Sequence, residues 1–493
     1  MPHTRRRVGF AAIVATAALA ASLATTAAAQ DPVADARPAA RQPTFVAPSD
    51  ELGSRFTLAV LPDTQYASRY ASSEFEPRYG TDPFRTQTRW LALHADELRI
   101  PFVAHLGDVV DQADDETQWQ AADAAMRTLD DAGLPYSVLP GNHDLLDGDG
   151  ALDDRDYDLA AEPYTAWFGT ERAAAQATWV ASDPTGLNQA HVFTVEGQRF
   201  LVLALAWRAS DETIAWADEV MSQHPELPVI LTTHAAITVD GSTARDTEYG
   251  LRLWDELIRS NDQIFLTLNG HYHGTAVHTR VNDVGHEVTQ LLIDHQMSYG
   301  GGNGYLALLE FDLTHGRLGV ETVSPWVAGK PVETLTAGES PVLDGATERF
   351  AIPIDFAKRF AAFAPHFGAG TGAVGRLGAL ARVLVLEGFV ANAGEADPAL
   401  PTIALNAGAH VSRDPELTGT GEPGAMVTVD IEAPPAPFGS GARTTGAAMV
   451  ARDGTWTLTL DHPIATSGPH TLILVQMLDQ TAEHPLEVEF VAE

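Results

Sequence analysis

The sequence predicts an α/β layered domain followed by a small all-β region. Three observations carry this. From Arg55 onward, short apolar runs alternate with stretches of helical spacing, the pattern of sheets covered by helices. Side chains able to ligate metals cluster just after the ends of several of those apolar runs. From about Pro401 the composition shifts to Thr, Val, Gly and Pro, and strand-like runs are separated by turn signals.

Taken in order, Arg5 to Arg7, the apolar Val8–Ala24 and Ala27-Ala28-Ala29 have the layout of an export signal over residues 1–29. Residues 30–54, rich in Pro, Ala and charge, read as a linker. A secreted or cell-surface location is therefore expected, with no membrane span in the mature protein. Strands are expected at Thr57–Leu61, Pro101–Ala104, Tyr136–Leu139, Pro228–Leu231 and Ile264–Leu268, and helices at Phe84–Arg99, Glu116–Ala132, Glu212–Gln223 and Tyr249–Ser260. The acidic stretch Leu145–Gln189 reads as a lid or substrate-selecting insertion. Ala190–Val195 and Arg199–Ala206 read as a hairpin turning at Glu196-Gly197. Further strands are expected at His278–Val281, Val288–Leu292 and Tyr305–Phe311, with Gly300–Gly304 as a flexible hairpin loop between them. Phe356, Phe360, Phe363 and Phe367 recur at helical spacing, as on a helix packed against the main domain. Met426–Ile431, Ala447–Ala451, Thr455–Leu460 and His470–Gln476 read as strands of a small sandwich with Trp456 in its core.

The net charge of -36 repels nucleic-acid backbones, so nucleic acid is not an expected partner. A small phosphate ester remains an expected substrate, because bound divalent ions invert the charge locally. With 0 Cys there is neither a disulfide framework nor a thiolate ligand.

Five islands of donor residues carry the chemistry: Asp63-Thr64-Gln65, Gly107-Asp108-Val109-Val110-Asp111, Gly141-Asn142-His143-Asp144, His234, and Gly270-His271-Tyr272-His273. Their oxygen and imidazole donors suit hard and borderline metals. Side chains just beyond parallel strands converge on one edge of a sheet. In order and spacing the islands resemble the calcineurin-like metallophosphoesterase superfamily, over roughly Phe56 to Pro325. The resemblance departs at Gln65, where most relatives carry His.

The resemblance implies a four-layer α/β/β/α metallophosphoesterase sandwich over residues 55–325. It also implies two divalent ions (Mn, Fe or Zn) and hydrolysis of a phosphomonoester or phosphodiester by a hydroxide bridging them. Asp108 is then the bridging carboxylate. Asp63, His273 and Gln65 complete one ion, and Asn142, His234 and His271 the other. His143 is the implied general acid, with Asp111 and Asp144 fixing its tautomer and orientation. An alternative is a metal-binding surface or adhesion protein whose site is weakened by Gln65.

Residues 326–398 are expected to be a helical extension and linker. Residues 399–493 resemble a bacterial immunoglobulin-like domain, carried by Gly419–Gly424 and Asp453-Gly454-Thr455-Trp456. Such a module is expected to fold on its own and to act as a spacer or as an attachment to cell wall or extracellular polymer.

Overall fold

Two seven-stranded sheets face each other in the computed structural model, which describes residues 54–368 and 399–493 apart from 149, 241–242, 337, 434–442 and 479–481. The expected export signal, residues 30–53 of the first linker and residues 369–398 of the second segment lie outside the described residues. Among the described residues, no helix is long and apolar enough to cross a membrane.

In the first sheet the strand Arg55–Leu61 is central. It pairs parallel with Phe102–His105, which pairs parallel with Tyr136–Ser137, and antiparallel with Leu306–Asp312 on its other side. In the second sheet, Gln198–Ala204, Val229–Thr232, Ile264–Asn269 and Glu287–Asp294 run parallel to one another. The parallel strands explain why these runs are almost wholly apolar, since both of their faces are covered. Along Arg55–Leu61, Phe56, Leu58 and Val60 enter the core between the sheets, while Ala59 and Leu61 meet the outer helices. The layers are thus helix, sheet, sheet, helix.

Helix positions follow their caps. Asp82 accepts from the Arg85 amide at 2.8 Å and starts Pro83–Leu93, and Asp115 accepts from the Thr117 amide at 2.9 Å and starts Glu116–Ala132. The expected Phe84–Arg99 helix breaks at His94 into two pieces. The hairpin turns where expected, with Glu196 and Gly197 both left-handed, the geometry of a tight two-residue turn.

Three expectations change. The insertion after residue 144 is anchored rather than lid-like: Tyr164 and Phe168 pack on Trp119, and the Tyr164 hydroxyl donates to the Val138 carbonyl at 3.0 Å. Gly300–Gly304 is not a hairpin loop but a packed crossover between the two sheets. A side chain at Gly301 would fall 2.6 Å from Tyr66 Cβ. The C-terminal region is all-β, in sheets of three and five strands with Trp456 buried in its core, but it is also packed against the first domain.

The aromatic-rich segment packs as expected but is helical only over Phe356–Phe360, with Phe363 and Phe367 beyond the helix end. Phe356 and Phe360 are buried against Phe265 and Phe311 between the sheets. Phe56 sits at the centre of this cluster, stacked on Phe311 at 4.6 Å and tilted against Phe200 at 5.3 Å. Phe56→Ala should cost about 3–5 kcal/mol of stability, since a cavity there has rigid sheet on both sides. Urea unfolding followed by Trp fluorescence would measure it.

Candidate metal centre

The loops after six parallel strands meet at one place. Asp63, Asp108 and Asn142 come from the first sheet, while His234, His271 and Asp294 come from the second. Donor atoms of Asp108, His234 and His271 lie within 4.8 Å of one another. This trio is three of the seven expected ligands.

Backbone strain places two of them. Asp108 and His271 are held at φ of 49° and 68°, left-handed conformations that side-chain-bearing residues adopt only under constraint. Glycines supply the room. A side chain at Gly141 would lie 2.1 Å from Asp108 Oδ1, and one at Gly270 would lie 1.9 Å from Asp63 Oδ1. The glycine beginning each of these two islands is therefore required by close approach of a carboxylate.

Hydrogen bonds fix which atoms face inward. His234 Nδ1 donates to the Leu106 carbonyl at 2.8 Å, which leaves the Nε2 lone pair pointing at Asp108 Oδ2, 3.2 Å away. Two acceptors thus face each other in a fully buried spot. A bound metal cation, or a proton on Nε2, would reconcile them. Asp63 Oδ2 accepts from the His271 amide at 2.9 Å, whereas its Oδ1 is buried without a partner, as are the Oδ1 of Asn142 and the Oε1 of Gln65. Orphaned inward acceptors of this kind fit a group of divalent cations.

Electrostatics agrees. Burial, then the Asp294 and Asp108 charges, push the Asp63 carboxyl well above its ordinary range. Burial and Asp108 push Asp144 up to about 7. Burial also works against an ionised Asp108, but His234, His143 and His271 outweigh it and hold that carboxyl low. Burial keeps His271 and His273 neutral, the form that ligates metal.

Gln65 faces Asp108 with its amide nitrogen, at 3.2 Å from Oδ2, and also donates to Gln296 Oε1. As it stands it supports the central carboxylate by a hydrogen bond. His143 donates its backbone N–H to Asp108 Oδ1 at 3.0 Å, and its Nδ1 donates to the Asp111 carbonyl at 2.9 Å. That bond sets the ring's orientation and leaves Nε2 as its other polar atom. Burial lowers the affinity of this imidazole for a proton, yet Asp108, Asp111 and Asp461 together raise it further, to about 10. Asp111 in turn is held by Arg69, Nη1 to Oδ2 at 2.7 Å. Asp144 corrects an expectation. Its two oxygens accept from the amides of Val109, Val110 and Gly141 at 2.8–2.9 Å, so it ties two ligand loops together and does not touch the His143 ring.

Several participants escaped the sequence reading. His105 accepts from the Gly107 amide at 3.1 Å through Nδ1 and bonds Thr64 Oγ1 at 2.9 Å through Nε2, joining the first two islands. Trp207 packs against the rings of both His234 and His271, at 5.5 and 4.6 Å. Asp294 ends the strand Glu287–Asp294 and Gln296 follows it, donors at the end of an apolar run as in the islands, and that signal was available for them.

Comparison with known proteins bears on the assignment. Residues 56–274 match the family model for calcineurin-like phosphoesterases. An uncharacterized protein of Bacillus subtilis (strain 168), YvnB, is 32% identical over 281 residues, which is 56% of this chain and 20% of that protein. The chain thus spans about a fifth of the length of that curated relative. A dimetal phosphatase from Danio rerio is similar at 14% identity and a TM-score of 0.35, over 61% of this chain and 99% of its own. A purple acid phosphatase, PPD1, from yellow lupin seeds is similar at 14% identity and a TM-score of 0.39, over 62% of this chain and 55% of its own. The similarity to calcineurin-like phosphoesterases thus covers residues 56–274, the part that carries all five donor islands.

The close approach at Gly270 yields a test. Gly270→Ala should displace Asp63 and weaken metal binding by about 10–100-fold while the far-ultraviolet circular dichroism stays unchanged. Metal content after dialysis against graded chelator would measure it.

Proposed function

We propose that the calcineurin-like phosphoesterase domain hydrolyses a small phosphate ester with two divalent ions, and that the chain acts outside the cell, where scavenging of phosphate is a fitting role. One ion would be held by Asp63, Gln65 and His273, the other by Asn142, His234 and His271, with Asp108 shared between them. The ions' identity, among Mn, Fe and Zn, is left to measurement. The observation that supports this most is the buried meeting of Asp108 with His234, lone pair against carboxylate, inside a ring of unpartnered acceptors. Such ions, when bound, neutralise phosphate charge and acidify bound water.

The chain's own residues do the rest. His143 is fixed through its Nδ1 bond to Asp111, so the free Nε2 is positioned to protonate a leaving oxygen. Arg69 holds Asp111 and so keeps that ring from turning. Trp207 walls the two ligand imidazoles on their apolar side and limits their rotation.

Asp108→Ala should lose both ions, because it is the shared carboxylate. His143→Ala should retain them and turn over about 10²–10⁴-fold more slowly. Metal analysis together with rates on p-nitrophenyl and bis-p-nitrophenyl phosphate would check both variants. Loss of the ions in His143→Ala would overturn the assignment of roles. Two bound ions with no hydrolysis of either ester in the unaltered protein would indicate a binding protein instead.

A further inference from the structure

Where the C-terminal region meets the first domain, side chains from both enclose a cleft of about 440 Å³, part of it open to solvent. Small-molecule sites span about 300–1,000 Å³ and favour domain junctions. The junction around the cleft is tight. The Tyr299 amide donates to the Leu478 carbonyl at 2.9 Å, and the Gly300 amide to the Gly424 carbonyl at 2.6 Å. The Tyr299 hydroxyl donates to the Pro423 carbonyl at 2.7 Å, and the Met449 amide to the Tyr70 hydroxyl at 2.9 Å. Gly424 leaves no room for a side chain, which would lie 2.4 Å from the Tyr299 ring. The walls are therefore set before any ligand arrives, which lowers the cost of binding one.

The lining combines aromatic rings with cations. Tyr79 and Trp326 stand edge to face, 4.8 Å apart at 78°, and Tyr79 is 39% exposed. Ser324 accepts from the Val327 amide at 2.9 Å and starts the turn that carries Trp326. Lys330, just beyond that turn, pairs with Glu339 and lies over the Trp326 and Tyr79 rings at 4.8 and 5.4 Å. Glu339 is fixed in turn, its Oε2 accepting from the Thr336 amide at 2.9 Å. An ammonium has three donors, and Glu339 takes one. Arg78 lines the cleft from the first domain and Arg452 from the C-terminal region, and neither forms an ion pair among the described residues. The Arg78 guanidinium lies 4.9 Å over the Tyr79 ring. One carboxylate, Glu74, also lines the cleft. Even with Glu339 added, cations outnumber carboxylates there by three to two. Over the whole chain the balance is reversed, with 30 Lys and Arg against 66 Asp and Glu.

We propose that this junction cleft binds a short acidic saccharide, its sugar ring seated against Tyr79 and Trp326 and its carboxylate held by Arg78, Arg452 and Lys330. None of these residues is a candidate metal ligand. Guanidinium groups match carboxylates through paired parallel hydrogen bonds, and two of them line the cleft without a carboxylate of the chain. Rings set nearly at right angles form a corner, which suits the puckered, C–H-rich body of a sugar. A flat nucleobase is matched instead by stacking on an open aromatic face. Here Arg78 and Lys330 already lie over the rings. A ligand with few charges is favoured, because the net charge of -36 opposes long polyanions.

Isothermal titration calorimetry on the full-length, metal-loaded protein tests this, with trigalacturonate as the probe and maltotriose and inorganic phosphate as comparisons. Trigalacturonate should bind, and neutral maltotriose should bind at least about tenfold more weakly. Arg78→Gln and Arg452→Gln should each weaken trigalacturonate about tenfold, the scale of one charge-assisted hydrogen bond. Tyr79→Ala should weaken it about two- to tenfold, the scale of one aromatic contact. All three side chains are exposed, so these variants should fold as the unaltered protein does. Removing the metals with a chelator should leave the affinity unchanged. Absence of trigalacturonate binding, equal affinity for maltotriose, or full affinity in both arginine variants would each overturn the proposal. Phosphate bound as tightly, with the same loss in the variants, would mark a simple anion site and overturn the saccharide assignment. Affinity lost with the metals would put the saccharide at the metal centre and overturn the cleft as its site.

Discussion

Four carboxylates, those of Asp63, Asp108, Asp144 and Asp294, are buried in one electrostatic neighbourhood, and much of the first domain is arranged around holding them there. Taking one such charge out of water is expensive, and like charges close together raise the cost. Asp144 offsets it with three backbone amides, and Asp63 with the His271 amide. Asp108 has the Gln65 amide, the His143 amide and His234. Left-handed backbone at Asp108 and His271, and glycines with no room for a side chain, are local costs accepted to bring those donors into range. A site that only needed to be stable would have been built from apolar residues. Bound divalent cations would make this concentration of acceptors favourable.

Much of this was legible in the sequence. A run that is apolar on both faces and is followed by a metal-ligating residue is a local pattern, and most of the five islands showed it. Asp108, His234 and His271 could therefore be named, and the structure brings them together. What local pattern could not show was who contacts whom across the sheets. His105 reads as the last residue of an apolar strand, and only the fold reveals that it joins Thr64 to Gly107. Asp144 was expected at the imidazole because the two are adjacent in the chain. Its carboxylate turns instead to the loop after the neighbouring strand, where unpaired amides needed an acceptor. Trp207 carried no donor pattern at all, because its part is to pack.

The C-terminal region shows the same limit at the level of domains. Its strands and its core Trp456 could be read from alternation, and the structure confirms an all-β region with that tryptophan buried. Its contact with the first domain could not be read, because Met426, Met449 and Met477 look like ordinary core residues of an isolated sandwich. In the fold they face Tyr66, Phe75 and Trp326 of the other domain, where methionine's flexibility and soft sulfur suit contact with aromatic rings. Gly300–Gly304 was equally ambiguous. Its glycines are needed because the chain passes tightly between Tyr66 and Gly424, a constraint set by segments far away in sequence.

The account's central claim is that the buried acceptors around Asp108 exist to hold metal, and calorimetric unfolding of the metal-free chain with added Mn²⁺ or Zn²⁺ tests it most directly. Ligands that bind only the folded state raise the unfolding temperature in proportion to the logarithm of their concentration. Metal-free protein should unfold at a clearly lower temperature, and titration should restore it with two ions taken up per chain. An unfolding temperature indifferent to either ion, in a chain that takes up none, would contradict the account.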